Sequence, residues 1–209
     1  MVKELPLFPL NIVVFPGEEV NLHIFEPRYK QLINDCLESK STFGIPSYVH
    51  NKIAFGTEVA IDEVSKRYED GRLDIKTKAL EVFEVKVFEN PWRNKLYAGG
   101  NVETVPLDQR EDAELKVRLI DLCTELFSWL QMEDQVTIDS SLSVFTIGHK
   151  VGLKLEEEYE LLVMKTERER QAYLINHLKR ILPALERAEQ ARERIRLNGH
   201  FKHLDPLKF

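Results

Sequence analysis

Hydrophobic and polar residues alternate along much of the first hundred positions, then recur every three to four positions along the second hundred. Leu5–Phe8 and Ile12–Phe15 are short apolar runs separated by Pro9-Leu10-Asn11. Proline has no N–H for a ladder, so these runs predict two strands at a sheet edge or bend. Pro16-Gly17 predicts a turn, because proline presets φ and glycine accepts a positive one. Val20, Leu22 and Ile24 then alternate with Asn21, His23 and Phe25, the period of a half-buried strand. Glu26 and Pro27 open a helix through about Ser39, with Tyr29, Leu32, Ile33, Cys36 and Leu37 on one apolar face.

Phe43-Gly44-Ile45 returns the chain to a strand. Val59 and Ile61 lead to Asp70-Gly71, a hairpin signal, and Leu73, Ile75 and Thr77 follow. Phe83, Val85 and Val87 form a further strand ended by Asn90-Pro91. Tyr97–Val105 is the last, with a bulge or close backbone approach expected at Gly99-Gly100. Strands at these intervals predict a small, twisted, barrel-like sheet. Pro106-Leu107-Asp108 marks a change of period. Leu115, Leu119, Leu122, Leu126, Phe127 and Leu130 line one helix face from about Gln109. Ser141–Gly152 and Glu156–Lys165 read as two shorter helices, the second burying Leu161, Leu162 and Met164. Thr166-Glu-Arg-Glu169 has capping-box spacing and opens a long helix with Ile175, Leu178, Ile181, Leu182 and Leu185 on one face. Pro183 is expected to interrupt it, and Asn198-Gly199 to stop it. The resulting fold class is α+β, with a β-rich part over 1–106 and a helical part over 107–209.

Charge and cysteine content narrow the function. Residues 1–164 hold 18 basic and 29 acidic side chains, a net −11, whereas residues 165–209 hold 11 and 6, a net +5. An acidic body disfavours nucleic-acid binding, which rests on phosphate neutralisation. The basic tail reads first as a solvated helix face. No window approaches eighteen consecutive apolar residues, so no membrane helix is expected. Cys36 and Cys123 form no C-x-x-C pair and read as reduced structural thiols of a cytoplasmic protein.

The order of these signals resembles the Lon N-terminal domain family, the substrate-binding domain that precedes the motor in Lon proteases. Leu5–Ile33 carries the first part of the resemblance, and Phe43-Gly44-Ile45, Gly56–Ile61, Asp70-Gly71-Arg72 and Val102-Glu103 the centre. Ser143–Val151, Leu155–Leu162 and Thr166–Leu182 carry the helical half, so the resemblance spans roughly residues 4–185. One segment departs: Lys78–Val85 lacks the glycine and arginine usual for the family after the Asp-Gly hairpin. The resemblance implies a PUA-like pseudo-barrel followed by a helical bundle, and a non-enzymatic module linked to proteolysis or protein quality control.

Catalytic chemistry is sparse. No G-x-x-x-x-G-K-[ST] loop occurs, so no ATPase is expected. A Ser-Lys peptidase dyad needs a domain of its own, and the chain ends at Phe209. His200 and His203 form the one close histidine pair, short of the four ligands of a closed zinc site, so no metal or other cofactor is expected. His23 reads as a surface or sheet-packing residue, and Glu18-Glu19 and Asp62-Glu63 lack a recognisable catalytic partner. Glu26 and Arg28 read first as a local ion pair at the helix start.

What remains is apolar surface. Phe8, Phe15, Phe25, Phe43, Tyr48, Phe55 and Trp92 are many aromatics for a half-open sheet to hide. The family resemblance implies that a subset on an exposed groove would bind unfolded segments by shape-tolerant burial, and an exposed strand edge could add backbone hydrogen bonds. The candidate peptide-binding set is Phe8, Phe15, Phe25, Arg28 and Tyr29. The partners implied are unfolded or hydrophobic polypeptide segments and a protease or chaperone. Ala184–Leu197 has too narrow an apolar stripe to pack fully, which makes it a candidate for pairing with a second copy. Two alternatives are a PUA-like regulator binding RNA or a small ligand, and a hydrolase with an unrecognised site.

Overall fold

The structure, a computed structural model, describes residues 2–132 and 137–200. Six strands come in the order β1 (Val2–Leu7), β2 (Glu19–Ile24), β3 (Phe43–Val49), β4 (Lys52–Arg67), β5 (Leu73–Glu89) and β6 (Ala98–Thr104). Helix α1 (Pro27–Ser39) lies between β2 and β3. After β6 come α2 (Ala113–Trp129), α3 (Val144–Ile147) with a 3₁₀ turn over Gly148–Lys150, α4 (Leu155–Val163) and α5 (Glu167–His200). The α+β class and the barrel-like sheet expected from the sequence are both present.

The sheet runs β2-β5-β4-β3-β1-β6 and closes on itself through a β5–β6 pairing. Two separate sequence expectations, Leu73–Thr77 and Phe83–Val87, are the two ends of one strand, β5. Along one edge β5 pairs first with β2, over Leu73–Lys78, and then with β6, over Phe83–Glu89. The family-atypical segment Lys78–Val85 forms no turn. It holds a bulge, because Val59 pairs with Ala79 while Thr57 pairs with Val82, leaving Leu80 and Glu81 against Glu58 alone. The extra residue changes which side chains face inward. Leu73, Ile75 and Ala79 pack in the α1-side core, Val82 in the helical core, and Phe83 inside the barrel with Leu5, Leu7, Ala98 and Val102.

The expected strand Ile12–Phe15 is not one. Side chains and a turn take the place of a ladder: Thr57 Oγ1 donates to Val14 O at 2.5 Å, Phe15 N donates to Glu18 Oε2 at 2.9 Å, and Glu18 N donates to Phe15 O at 3.1 Å. The segment is buried on both sides. Val13 and Phe15 join the helical core, and Val14 joins the core under α1.

Helix α1 has the predicted bounds, with Pro27 in its first turn and Lys40 in the left-handed conformation at its end. Helix α2 starts later than Gln109, because Asp112 caps it by accepting from Glu114 N and Leu115 N at 3.1 Å. The helix expected over Ser141–Gly152 is reduced to α3 and the 3₁₀ turn. The capping box at Thr166 and Glu169 forms in both directions, each bond 3.2 Å. Helix α5 runs through Pro183 and past Asn198-Gly199 to His200, so neither signal ends it. From Glu186 to Ile195 every side chain described is exposed.

Two devices join sheet and helices. Asp108 bridges to Thr166, and the wholly buried Arg170 fixes both strands of that bridge: Nη2 donates to Asp108 O at 3.0 Å and Nη1 to Met164 O at 2.8 Å. Its Nε donates to the buried Glu167 at 2.9 Å, which supplies the counter-charge a buried guanidinium requires. The second device is His149, whose Nε2 meets Glu18 Oε2 at 3.2 Å and whose Nδ1 meets Glu158 Oε1 at 2.8 Å. Bonding to Glu18, opposed by partial burial and reinforced by Glu158, raises its pKa to about 9.

A raised folded-state value means that the protonated ring stabilises the fold fully below pH ~6.5 and loses that effect as pH rises through about 9. The stability difference between the wild type and His149→Gln, from urea unfolding, is expected to shrink across that window; a difference that stays constant refutes the clamp. A second test concerns the close approach at Gly100, where an added Cβ would lie 1.8 Å from Val87 O. Backbone cannot yield as a side chain tip can, so Gly100→Ala is expected to destabilise by about 1–3 kcal/mol or more. Thermal unfolding unchanged by that substitution would contradict the packing.

Candidate functional site

The five residues expected to contact peptide divide sharply. Phe8, Phe15 and Tyr29 are core: Phe8 stacks on Tyr29 with ring centroids 3.7 Å apart, and Phe15 packs on Phe145 at 5.2 Å and His149 at 4.6 Å. Burial removes these three from any surface a peptide could reach. Phe25 and Arg28 lie outside. Phe25 is 59% exposed, although it follows the fully buried Ile24, because β2 ends there and the chain turns into α1. Arg28 forms the local ion pair expected of it, its Nη2 2.9 Å from Glu26 Oε2, while its guanidinium covers the Tyr29 ring at 4.5 Å.

Around Phe25 the structure assembles an aromatic patch. Its ring lies 6.0 Å from that of His23, which meets the Tyr68 ring edge-on at 5.8 Å. His23 Nδ1 contacts Asp74 Oδ1 at 2.5 Å, and Tyr68 Oη donates to Asp74 Oδ2 at 2.8 Å. These two bonds hold the Asp74 carboxyl below the usual carboxylate range. Lys66 and Arg72 lie over the Tyr68 ring at 4.5 and 4.8 Å. Among the described residues no serine or cysteine side chain is hydrogen-bonded to His23. His23, expected to be a surface or sheet-packing residue, is exposed on β2.

At the other end of β2 a cleft of about 800 Å³ opens between the sheet and the helices. Pro16, Gly17, Glu18, Lys78, Ala79 and Leu80 line its sheet side. Phe145, His149, Lys150 and Arg170 are among those on its helical side. Sequence reasoning missed this site. Glu18 carried no visible partner, because His149 is 131 residues away along the chain. The Pro16-Gly17 turn was legible, but not that it faces α3.

Between patch and cleft runs β2, which pairs with β5 alone. Its other edge is open among the described residues. Val20 and Leu22 are half-buried, while Glu19, Asn21 and His23 are exposed.

Among the described residues no group of three or more His, Cys, Asp or Glu side chains is arranged to hold a metal. His203, half of the histidine pair weighed from sequence, lies outside them. Cys36 and Cys123 are buried free thiols, and burial pushes their pKa values up to about 11 and about 12. Such thiols are not nucleophiles at neutral pH. No helix among the described residues is long and apolar enough to cross a membrane.

Comparison with solved structures places this architecture beside two bacterial domains. A Lon N-terminal domain protein from Xanthomonas campestris superposes with a TM-score of 0.67 at 24% identity, covering 83% of this chain and 98% of that one. The N-terminal domain of Mycobacterium avium complex Lon protease gives 0.64 at 17% identity, covering 85% and 98%. At these identities the likeness is one of fold. A comparison with curated proteins gives no match. The family profile described as the ATP-dependent protease La (LON) substrate-binding domain matches residues 4–191. The closed sheet, the α1 core and the helices through most of α5 all fall within that span, and the chain belongs to the LON substrate-binding domain family.

Proposed function

We propose that this protein is a non-enzymatic module that binds unfolded or hydrophobic polypeptide segments and presents them to a protease or chaperone. The observation that carries the reading is Phe25, a large apolar side chain held in solvent at the end of β2 in a domain of the substrate-binding family. Burying an exposed phenylalanine against a partner's apolar side chain contributes about 1.5–3 kcal/mol without demanding a particular sequence. His23 and Tyr68 extend the apolar surface, and the cations over Tyr68 keep the patch hydrated when unoccupied. Substrates recognised because they are unfolded require such tolerance.

The exposed end of α5 supports a second element of this reading, self-association. Leu174, Leu178, Ile181 and Leu185 form a stripe spaced four and three residues apart that packs on the body. The same spacing continues through Ala188 and Arg192 to Ile195, which is 72% exposed. A second copy's helix would cover it.

Binding of fluorescent unfolded casein at two salt concentrations tests the first element. Phe25→Ser is expected to weaken binding at least several-fold while leaving the thermal midpoint unchanged. Phe8→Ala, by contrast, is expected to destabilise the fold by about 3–5 kcal/mol, since it empties a core site. Casein binding indifferent to Phe25, or RNA bound in its place at low salt, would overturn the peptide reading. For the tail, deleting residues 186–209 is expected to reduce the mass seen by light scattering to that of one chain. A monomer before and after the deletion rejects self-association.

A further inference from the structure

The open edge of β2 joins the two features described above, and we propose that it receives an extended polypeptide segment of about eight residues, apolar at one end and carrying a carboxylate at the other. This deepens the peptide-binding reading and rests on it. Gly17, on the cleft wall, and Phe25, in the aromatic patch, are the two ends of one stretch of chain built around β2. Its six strand residues span about 20 Å at about 3.4 Å per residue, and one residue more at each end of a bound segment reaches the cleft and the patch. A strand laid along it would gain the backbone hydrogen bonds that a terminal strand leaves unmade. One end then rests against Phe25, and the other enters the cleft.

Charge pairing assigns the chemistry of the cleft end. Each acid of the cleft wall is committed within the protein. Glu18 is held by His149 and by Phe15 N, Glu167 by Arg170, and Glu111 by Lys116 Nζ at 2.6 Å. Two lysines are not so committed. Lys78 Nζ approaches only the exposed Glu19, at 3.9 Å, and Lys150 has no carboxylate within salt-bridge distance among the described residues. Arg170, on the same wall, is buried and already paired with Glu167. Leu80, 41% exposed at the β5 bulge, and Phe145 give the cleft its apolar wall. A carboxylate flanked by an apolar side chain fits this arrangement, with the lysines as its counter-ions. It can come from a glutamate or aspartate side chain or from the end of a chain.

Fluorescent decapeptides of otherwise neutral sequence, acetylated and amidated, test this, with Leu-Phe at one end and two glutamates at the other, made in both orders. Replacing the glutamates by glutamines is expected to weaken binding to the wild type roughly fivefold or more at low salt. The double variant Lys78→Ala/Lys150→Ala, whose altered side chains are solvent-exposed, is expected to bind both peptides alike. Methylating alternate peptide nitrogens, so that no ladder forms on β2, is expected to abolish binding. With the glutamines at the C-terminal end, a glutamine peptide with a free C-terminus that recovers the affinity shows that a chain end serves as well as a side chain; one that does not restricts the source to the side chain. Equal affinity of the glutamate and glutamine peptides for the wild type, or full binding of the methylated one, overturns the proposal. If casein still binds through Phe25 in that case, only the β2 alignment and the cleft are lost; if casein does not bind, the peptide reading falls with them.

Discussion

Burial of Val13, Val14 and Phe15 from both sides is the constraint on which the rest of the molecule depends. These three residues form no ladder, yet none is more than 3% exposed. Odd positions fill the helical core and the even one fills the core beneath α1, so the two cores meet across a single stretch of backbone. Such a stretch must satisfy its own polar groups without a neighbouring strand. Thr57 and Glu18 do so with side chains. The Glu18 carboxylate thereby serves the Phe15 amide and the His149 ring together, which ties the backbone of the wedge to the helical half. Gly148 completes the contact: an added Cβ there would lie 2.4 Å from the Phe15 ring.

A second tier of contacts lies between that wedge and the helices. Arg170 and Glu167 fix the segment after β6 against the start of α5. The cleft opens between the sheet and the helices, lined by Glu18, Lys78 and Leu80 on one side and His149 and Lys150 on the other. Its walls come from residues that are far apart in sequence. The aromatic patch is likewise assembled from distant parts of the chain, where β2 ends and where the β4–β5 hairpin turns.

Much of the fold was legible because its signals are short-range. Pro27, the Asp70-Gly71 turn and the Thr166–Glu169 capping box each act within a few residues, and each sits where expected. Long-range competition explains the failures. Ile12–Phe15 has strand composition but lies between two cores, and β5 runs unbroken where composition suggested two strands. Among the site residues, Phe25 falls on the outward phase of the β2 alternation with Asn21 and His23, whereas Phe8 lies just past the end of β1, where no alternation reports its side. The cleft was invisible for a related reason, since it is made of Glu18, Lys78 and Lys150, residues that pair or fail to pair only after folding.

The bulge at Leu80 and Glu81 has a consequence for how this sequence can vary. A strand with side chains alternating between two faces is a two-letter code, and the bulge shifts its reading frame once, between the β2-paired half and the β6-paired half of β5. Residue identities at exposed positions such as Lys76, Leu80 and Lys86 can drift without disturbing the message. The number of residues between Ala79 and Val82 cannot. A single insertion or deletion there would carry Val82 and Phe83 each into the other's core, so length, more than composition, is what this part of the chain must conserve.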